Sequence, residues 1–310
     1  MIKKSAIRRI CVATLALFLL LIIYFFPTSN VTTQESLSMI TKEEMPIFLV
    51  DDKNYVARSS IVKNSEDVIE QIKEIIKTLT IGTKSSSYIR DGFQAVIPEN
   101  TQILNVDLTD NILTLDFSQE FLNVQKDYEE AMIEAIIYSC TEIKEVKKIK
   151  ILVEGKSLRT LPNSKKKLPE YLDKEYGINK IYNLDKLTNS SKTTIYYLSK
   201  MKDYYYYVPV TKVSNSNKER VEIIIKELKS TPIYHTNLIS YLAASTNMTT
   251  YEILENSINL SFDNELIANI HDDNILEEVK YSIALSLRDT YNIDEVIFNL
   301  PNQNNYKISL

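Results

Sequence analysis

Few side chains in this 310-residue sequence combine the type and spacing that chemistry requires. The only two imidazoles are His235, in Thr-Pro-Ile-Tyr-His-Thr-Asn, and His271, just ahead of Asp272 and Asp273. A nucleophile–histidine–acid relay would have to use one of them, because a hydroxyl needs an adjacent base to become reactive near neutral pH. Both fall in expected loops with no nucleophile motif beside them, so they read as solvated loop histidines. Glu99, Asp116 and Glu120 surround one hairpin and could act as paired carboxylates or as oxygen ligands for calcium. No ligand-rich loop of the calcium type accompanies them, and Asp116 alternates off the core side of its strand, so they read as surface carboxylates. Cys11 and Cys140 are too far apart in setting to pair, and with two distant histidines they give no zinc spacing. The four glycines, Gly82, Gly92, Gly155 and Gly177, are too scattered for a P-loop or a dinucleotide fingerprint. No catalytic, cofactor-binding or metal-binding residue is assigned, and no cofactor is expected.

Binding chemistry is better represented. A net charge of −5 with no aromatic-and-basic stripe argues against a nucleic-acid partner. Lys165-Lys166-Lys167 could favour an anionic wall polymer or anionic headgroups, although three lysines fall short of a polybasic cluster and also suit a solvated connector. Tyr204 to Tyr207 form a tyrosine run on an expected strand, where alternate rings would enter the core and the others could meet a protein.

The elements that would position these groups centre on residues 96–121. Leu104, Val106 and Leu108 alternate with polar residues, Thr109-Asp110-Asn111 turn the chain, and Leu113, Leu115 and Phe117 alternate on the return. That is the pattern of a hairpin with one buried face. Ahead of it, Ile47–Val50 and Tyr55–Val62 predict two strands. A helix follows, capped by Asn64 or Ser65, with Ile69, Ile72, Ile76 and Leu79 as its buried stripe. After it, a helix over about 126–143 would bury Met132, Ile133, Ile136, Ile137 and Cys140 and turn Glu129, Glu130 and Glu134 elsewhere. A strand carrying Ile149, Ile151 and Val153 then closes a ββαββαβ order.

The second half repeats that order. Strands are expected at 194–198 and 205–213, then a helix behind a Ser216–Glu219 capping box, a strand at 257–262, a helix at 274–291 and a strand at 295–300. Val221, Ile224 and Leu228 fall on Ile69, Ile72 and Ile76 at one offset. Ile293, Val296, Phe298 and Leu300 fall on Val146, Ile149, Ile151 and Val153 at another. The expected fold class is α+β: an N-terminal transmembrane helix followed by two repeated ββαββαβ domains, each an antiparallel sheet with two helices on one face.

At the N-terminus, Lys3, Lys4, Arg8 and Arg9 precede an uncharged run from Ile10 to Phe26, closed by Pro27. The charge asymmetry predicts a cytoplasmic tail at 1–9, a membrane span at 10–26, and everything beyond outside the cytoplasm. A lipid anchor would need a cysteine after the run, whereas Cys11 lies at its start; a cleaved signal would need a better processing site than Pro27–Thr33 offers. The remaining layout is a tether at 27–45, a first domain at 46–160, a connector at 161–191 and a second, divergent domain at 192–310.

Three short motifs then stand in order: Ile97-Pro98-Glu99-Asn100-Thr101, Leu115-Asp116-Phe117-Ser118, and Ile151-Leu152-Val153-Glu154-Gly155-Lys156. Together with the element order they resemble the GerMN domain of bacterial sporulation and germination proteins, well over 46–160 and loosely over 192–310. Asn100 stands where the family usually has glycine, and the second copy lacks the lead-in. The resemblance implies tandem domains behind an N-terminal anchor, no enzymatic activity, and a fold similar to the ring-building modules of envelope-spanning complexes. It implies a membrane protein, single-pass and extracytoplasmic, that binds envelope proteins or itself. A surface binder of wall polymer or of a small ligand is the alternative.

Overall fold

The computed structural model describes residue 14 and residues 43–185, 190–230, 237–263, 266, 275–301 and 305–310. Among these, no helix is long and apolar enough to cross a membrane. The expected span at 10–26 lies outside them apart from Thr14.

Strands β1 (Glu44–Asp51) and β2 (Val56–Val62) form an antiparallel hairpin. Its turn is held by Asp51, whose Oδ1 accepts from the Lys53 and Tyr55 amides at 2.9 and 2.8 Å, while Asn54 takes a left-handed conformation (φ 65°) that asparagine tolerates. Helix α1 (Val68–Leu79) is capped by Asp67, which accepts from Glu70 N, rather than by Asn64 or Ser65. Its buried face is Ile72, Ile75, Ile76 and Leu79, and Ile69 is half-buried. A short strand β3 (Phe93–Gln94) joins the far edge of β1.

The hairpin at the centre of the first copy consists of β4 (Ile103–Thr109) and β5 (Ile112–Phe117). Asp110 and Asn111 both have positive φ (52° and 61°), the two-residue turn whose twist matches that of paired strands. Leu113, Leu115 and Phe117 are fully buried. Leu104 is 48% exposed because a bulge between Ile103 and Asn105 turns it out of the core alternation. Helix α2 (Glu129–Cys140) then carries the chain to β6 (Lys148–Val153), and β7 (Lys156–Ser157) returns along it.

The expectation of one antiparallel sheet with both helices on one face is corrected here. The first copy holds two sheets, β2-β1-β3 and β4-β5-β6-β7, and β5 runs parallel to β6. The reason is the intervening helix: a strand–helix–strand crossover returns the chain in its original direction, which a tight turn cannot do. Helix α2 packs against β1 and within the core rather than on an open face. It is buried around almost its whole circumference, including Glu129 and Glu134.

The second copy repeats this plan. Strands β9 (Ser191–Met201) and β10 (Tyr204–Ser214) form its long hairpin, with β8 (Ile181–Asn183) parallel to β10. Helix α3 (Arg220–Lys229) starts after Glu219 without a side-chain cap; Ser216 accepts from Lys218 N instead of closing a capping box. Strands β11 (Met248–Ile253) and β12 (Ser257–Phe262), helix α4 (Glu277–Tyr291), β13 (Glu295–Asn299) and β14 (Asn305–Ser309) complete it. Strand β12 is parallel to β13, as β5 is to β6.

The duplication extends to single hydrogen bonds. Ser139 Oγ on α2 accepts from Phe48 N, and Ser286 Oγ on α4 accepts from Tyr196 N, both at 2.8 Å. Each hydroxyl satisfies a strand amide buried under the helix, where water cannot replace it. Asn111 O accepts from Lys147 N and Lys148 N, just as Asn256 O accepts from Asp294 N and Glu295 N. Replacing Ser139 with alanine leaves the Phe48 amide buried without a partner, which should cost about 1–3 kcal/mol. Urea unfolding of the Ser139→Ala chain checks this, and Ser286→Ala should behave alike.

The connector at 161–180 is built into the first copy. Leu161, Leu168, Leu172 and Ile178 join its core, and Leu172 pairs antiparallel with Ile149, on the edge of β6 away from β5 and at the end that β7 does not reach. Within the connector, Lys174–Tyr176 forms a single 3-10 turn ended by Gly177 at φ 83°.

Candidate functional site

His235 and His271 lie outside the described residues. The three carboxylates around the first hairpin are each engaged separately. Asp116 accepts from Gly155 N at 3.0 and 3.1 Å, tying the end of β5 to the left-handed Glu154–Gly155 turn. A hydrogen bond with Ser118 holds the Glu120 carboxyl below its ordinary range. The Glu99 side chain lies against Gly82, where an added Cβ would come within 3.0 Å of its Oε1. Among the described residues no group of three His, Cys, Asp or Glu side chains could hold a metal ion. Cys140 is free and buried, and that burial pushes its thiol up to about 12.

The lead-in around residues 94–101 is shaped by backbone bonds to the end of α1. Leu79 O accepts from Val96 N and Ile97 N at 3.0 and 2.8 Å, and Ile81 N donates to Ile97 O at 3.0 Å. Asn100 sits at φ 66°, which accounts for an asparagine where glycine is usual: both visit the left-handed region. The result is an open groove of about 530 Å³, lined by Ile81, Ala95, Val96, Pro98, Val124 and Tyr128 among others.

The lysine run is partly committed. Lys166 pairs with Glu130 at 2.6 Å, and Lys165 Nζ donates to Pro162 O at 2.6 Å. Around it, the connector satisfies the carboxylates of α2. Glu129 accepts from Ser164 N at 2.8 Å and from Asn163 N, and Glu134 accepts from Asn179 N and pairs with Lys180. Burial works to raise Glu129, but the Ser164 and Asn163 hydrogen bonds outweigh it and hold the carboxyl low. Burial wins at Glu134, which is raised despite Lys180.

The tyrosine run joins the two copies. Tyr206 is buried, donates to Asp51 Oδ2 at 2.8 Å and meets Phe93 edge-on at 5.0 Å. Tyr204 donates to Asp91 O at 2.9 Å, with Arg90 4.0 Å from its ring centre. On the opposite side of β10, Tyr205 meets Tyr241 and Tyr207 meets Tyr281. Nearby, the Asn179 amide bonds both Val56 N and Val56 O and also Pro209 O, bridging β2 to β10.

The strongest electrostatics lie on this seam. Glu142 and Asp289 have side chains only 3% and 1% exposed. Lys174 Nζ reaches Glu142 at 2.9 Å and Asp289 at 2.6 Å, Arg288 Nη2 reaches Glu142 at 2.6 Å, and Tyr196 donates its hydroxyl to Asp289. Burial alone would raise both acids. The two cations instead hold Glu142 below the carboxylate range and Asp289 down at about 2. Beside this cluster opens a cleft of about 500 Å³. Sequence reasoning missed the cluster because its residues come from four separate segments.

Comparison with known proteins agrees with this architecture. The Germane family, described as sporulation and spore germination, matches residues 46–159. The chain is similar to the spore germination protein GerM of Bacillus subtilis strain 168, with 28% identity over 257 residues, 81% of this chain and 69% of that protein. It is also similar to the solved tandem GerMN domains of the sporulation protein GerM from Bacillus subtilis. That likeness has a TM-score of 0.76 and 26% identity, and it covers 84% of this chain and 92% of the other.

Proposed function

We propose that this chain, which belongs to the GerMN-domain family and carries two tandem copies, is a non-enzymatic interaction component of the bacterial envelope in sporulation or germination. Residues 10–26 supply a single membrane span behind Lys3, Lys4, Arg8 and Arg9, and the two copies lie on the extracytoplasmic side. The observation that carries this reading is the likeness of the whole tandem unit to that of GerM, covering 92% of the solved tandem domains. Supporting it, the buried carboxylates of Glu129, Glu134, Glu142 and Asp289 each hold the connector or the second copy in place.

An apolar segment of another envelope protein docks in the groove between Ile81 and Tyr128. The groove is built from the lead-in that distinguishes the first copy from the second, and its lining sets Ile81, Ala95, Val96, Pro98, Val124 and Tyr128 beside Gln94, Glu99, Asn123 and Gln125, an apolar floor with polar groups to orient a bound segment. Ile81 is 46% exposed, so Ile81→Lys should change stability by no more than about 0.5 kcal/mol. The same change should reduce copurification of the partner from detergent-solubilised membranes at least about tenfold. Unaltered copurification with the variant would count against the groove. Loss of the folded state would show in the melting curve and is separable from loss of binding.

A further inference from the structure

We propose that the cleft on the seam between the two copies binds a phosphate group. Its lining carries five cationic side chains, from both copies and the connector, against three carboxylates. Among side chains that is an excess of two positive charges, on a chain whose net charge is −5, with Leu310 also in the lining. Most of the lining is already paired. Lys174 and Arg288 neutralise Glu142 and Asp289, and Lys144 lies 3.4 Å from Asp294.

Two cations are left over. Arg58, on β2, is 3.9 Å from Glu142 at its nearest nitrogen, and its Nε is buried with no hydrogen-bond partner. Its side chain is 28% exposed, and the Nε donor is withdrawn from water without a close acceptor, an arrangement that costs stability unless an anion supplies one. Lys147 makes a long contact of 3.4 Å to Asn292 Oδ1 and shares the Asp294 carboxylate with Lys144. A phosphate dianion matches the uncompensated charge, and the planar guanidinium offers paired donors to its oxygens. The site differs from Lys165–Lys167, where one lysine pairs with Glu130 and another bonds a backbone carbonyl.

The test is thermal unfolding of the chain with inorganic phosphate, against sodium chloride and sodium acetate at matched ionic strength. At about twenty times its dissociation constant, phosphate should raise the melting temperature by about 3–6 °C over either control. Arg58→Gln should weaken binding about tenfold or more, by loss of a charge-assisted bond. Lys147→Gln, at an exposed position that leaves the fold intact, should weaken it severalfold, and the paired change Lys165→Gln, Lys167→Gln should leave it unaltered. A glycerol-phosphate polymer and free glycerol phosphate then distinguish a wall polymer from a soluble ester as the source. Binding of either through Arg58 and Lys147 supports the proposal. A phosphate shift equal to that of chloride, or one that survives both the Arg58 and Lys147 variants, overturns it.

Discussion

Replacing Asp289 with alanine should destabilise the protein by about 3–5 kcal/mol, more than any surface change. The side chain is 1% exposed and accepts from Lys174 at 2.6 Å and from the Tyr196 hydroxyl. Its removal leaves Lys174 and Arg288 sharing only Glu142 and strands a buried tyrosine hydroxyl. Because the cluster ties α4 and β9 of the second copy to Glu142 and Lys174 at the end of the first, the loss should also uncouple the copies. Chemical unfolding of Asp289→Ala should show a lower midpoint and, where the copies separate before unfolding, two transitions instead of one. The pH dependence has a definite sign. Asp289 is depressed to about 2 in the folded chain from an ordinary 3.8. Its stabilising contribution is therefore complete above about pH 4 and is lost as the pH falls from there through about 2. Wild-type stability should fall over that window more steeply than that of Asp289→Ala.

Glu134→Ala should cost a similar amount, about 3–5 kcal/mol, for a related reason. Lys180, its partner, has a side chain only 7% exposed, so the variant buries an ammonium whose remaining carboxylate partner is Glu130 at 3.4 Å. Glu134 also accepts from Asn179 N at 2.9 Å, and Asn179 is the residue whose amide bridges Val56 to Pro209. The damage should reach the seam. Amide exchange in β2 and β10 should accelerate in Glu134→Ala and not in a variant of the exposed Glu145. Glu134→Leu, which fills the space but still strands Lys180, should remain destabilised; Glu134→Leu combined with Lys180→Met should recover much of the loss, because two apolar groups leave no buried charge.

Much of the fold was legible because its pattern is local. Period-two alternation marked β5, β6, β12 and β13, and the spacing of Ile72, Ile76, Ile224 and Leu228 marked α1 and α3, with these apolar residues buried as read, whereas in β4 Val106 and Leu108 are only half-buried and Leu104 is exposed. Strand direction was not legible, since nothing within β5 or β6 states which neighbour it will pair with; the crossover through α2 decides it. Glu129 and Glu134 were misread for a similar reason. A glutamate beside an apolar stripe normally faces water, and only the folding of the connector across α2 gives these two their partners. Strands β7 and β14 were too short or too polar at their approach to register. The tyrosine run read as alternate rings entering the core, and Tyr206 does so, but no local pattern states that Tyr204 and Tyr206 reach the first copy through Asp91 and Asp51. The seam cluster was out of reach: Arg58, Glu142, Lys174 and Arg288 stand on four segments with no common motif.

The claim that this is an interaction component is tested most directly by a photocrosslinking residue placed at position 81, on the rim of the lead-in groove, in the full-length protein in intact cells. The same residue at Glu252, exposed on β11 of the second copy, serves as the control. Position 81 should give a discrete adduct with another envelope protein, absent at 252 and lost when Val96→Asp is added. Recovery of uncrosslinked monomer alone from position 81, or the same adducts from both positions, would contradict it.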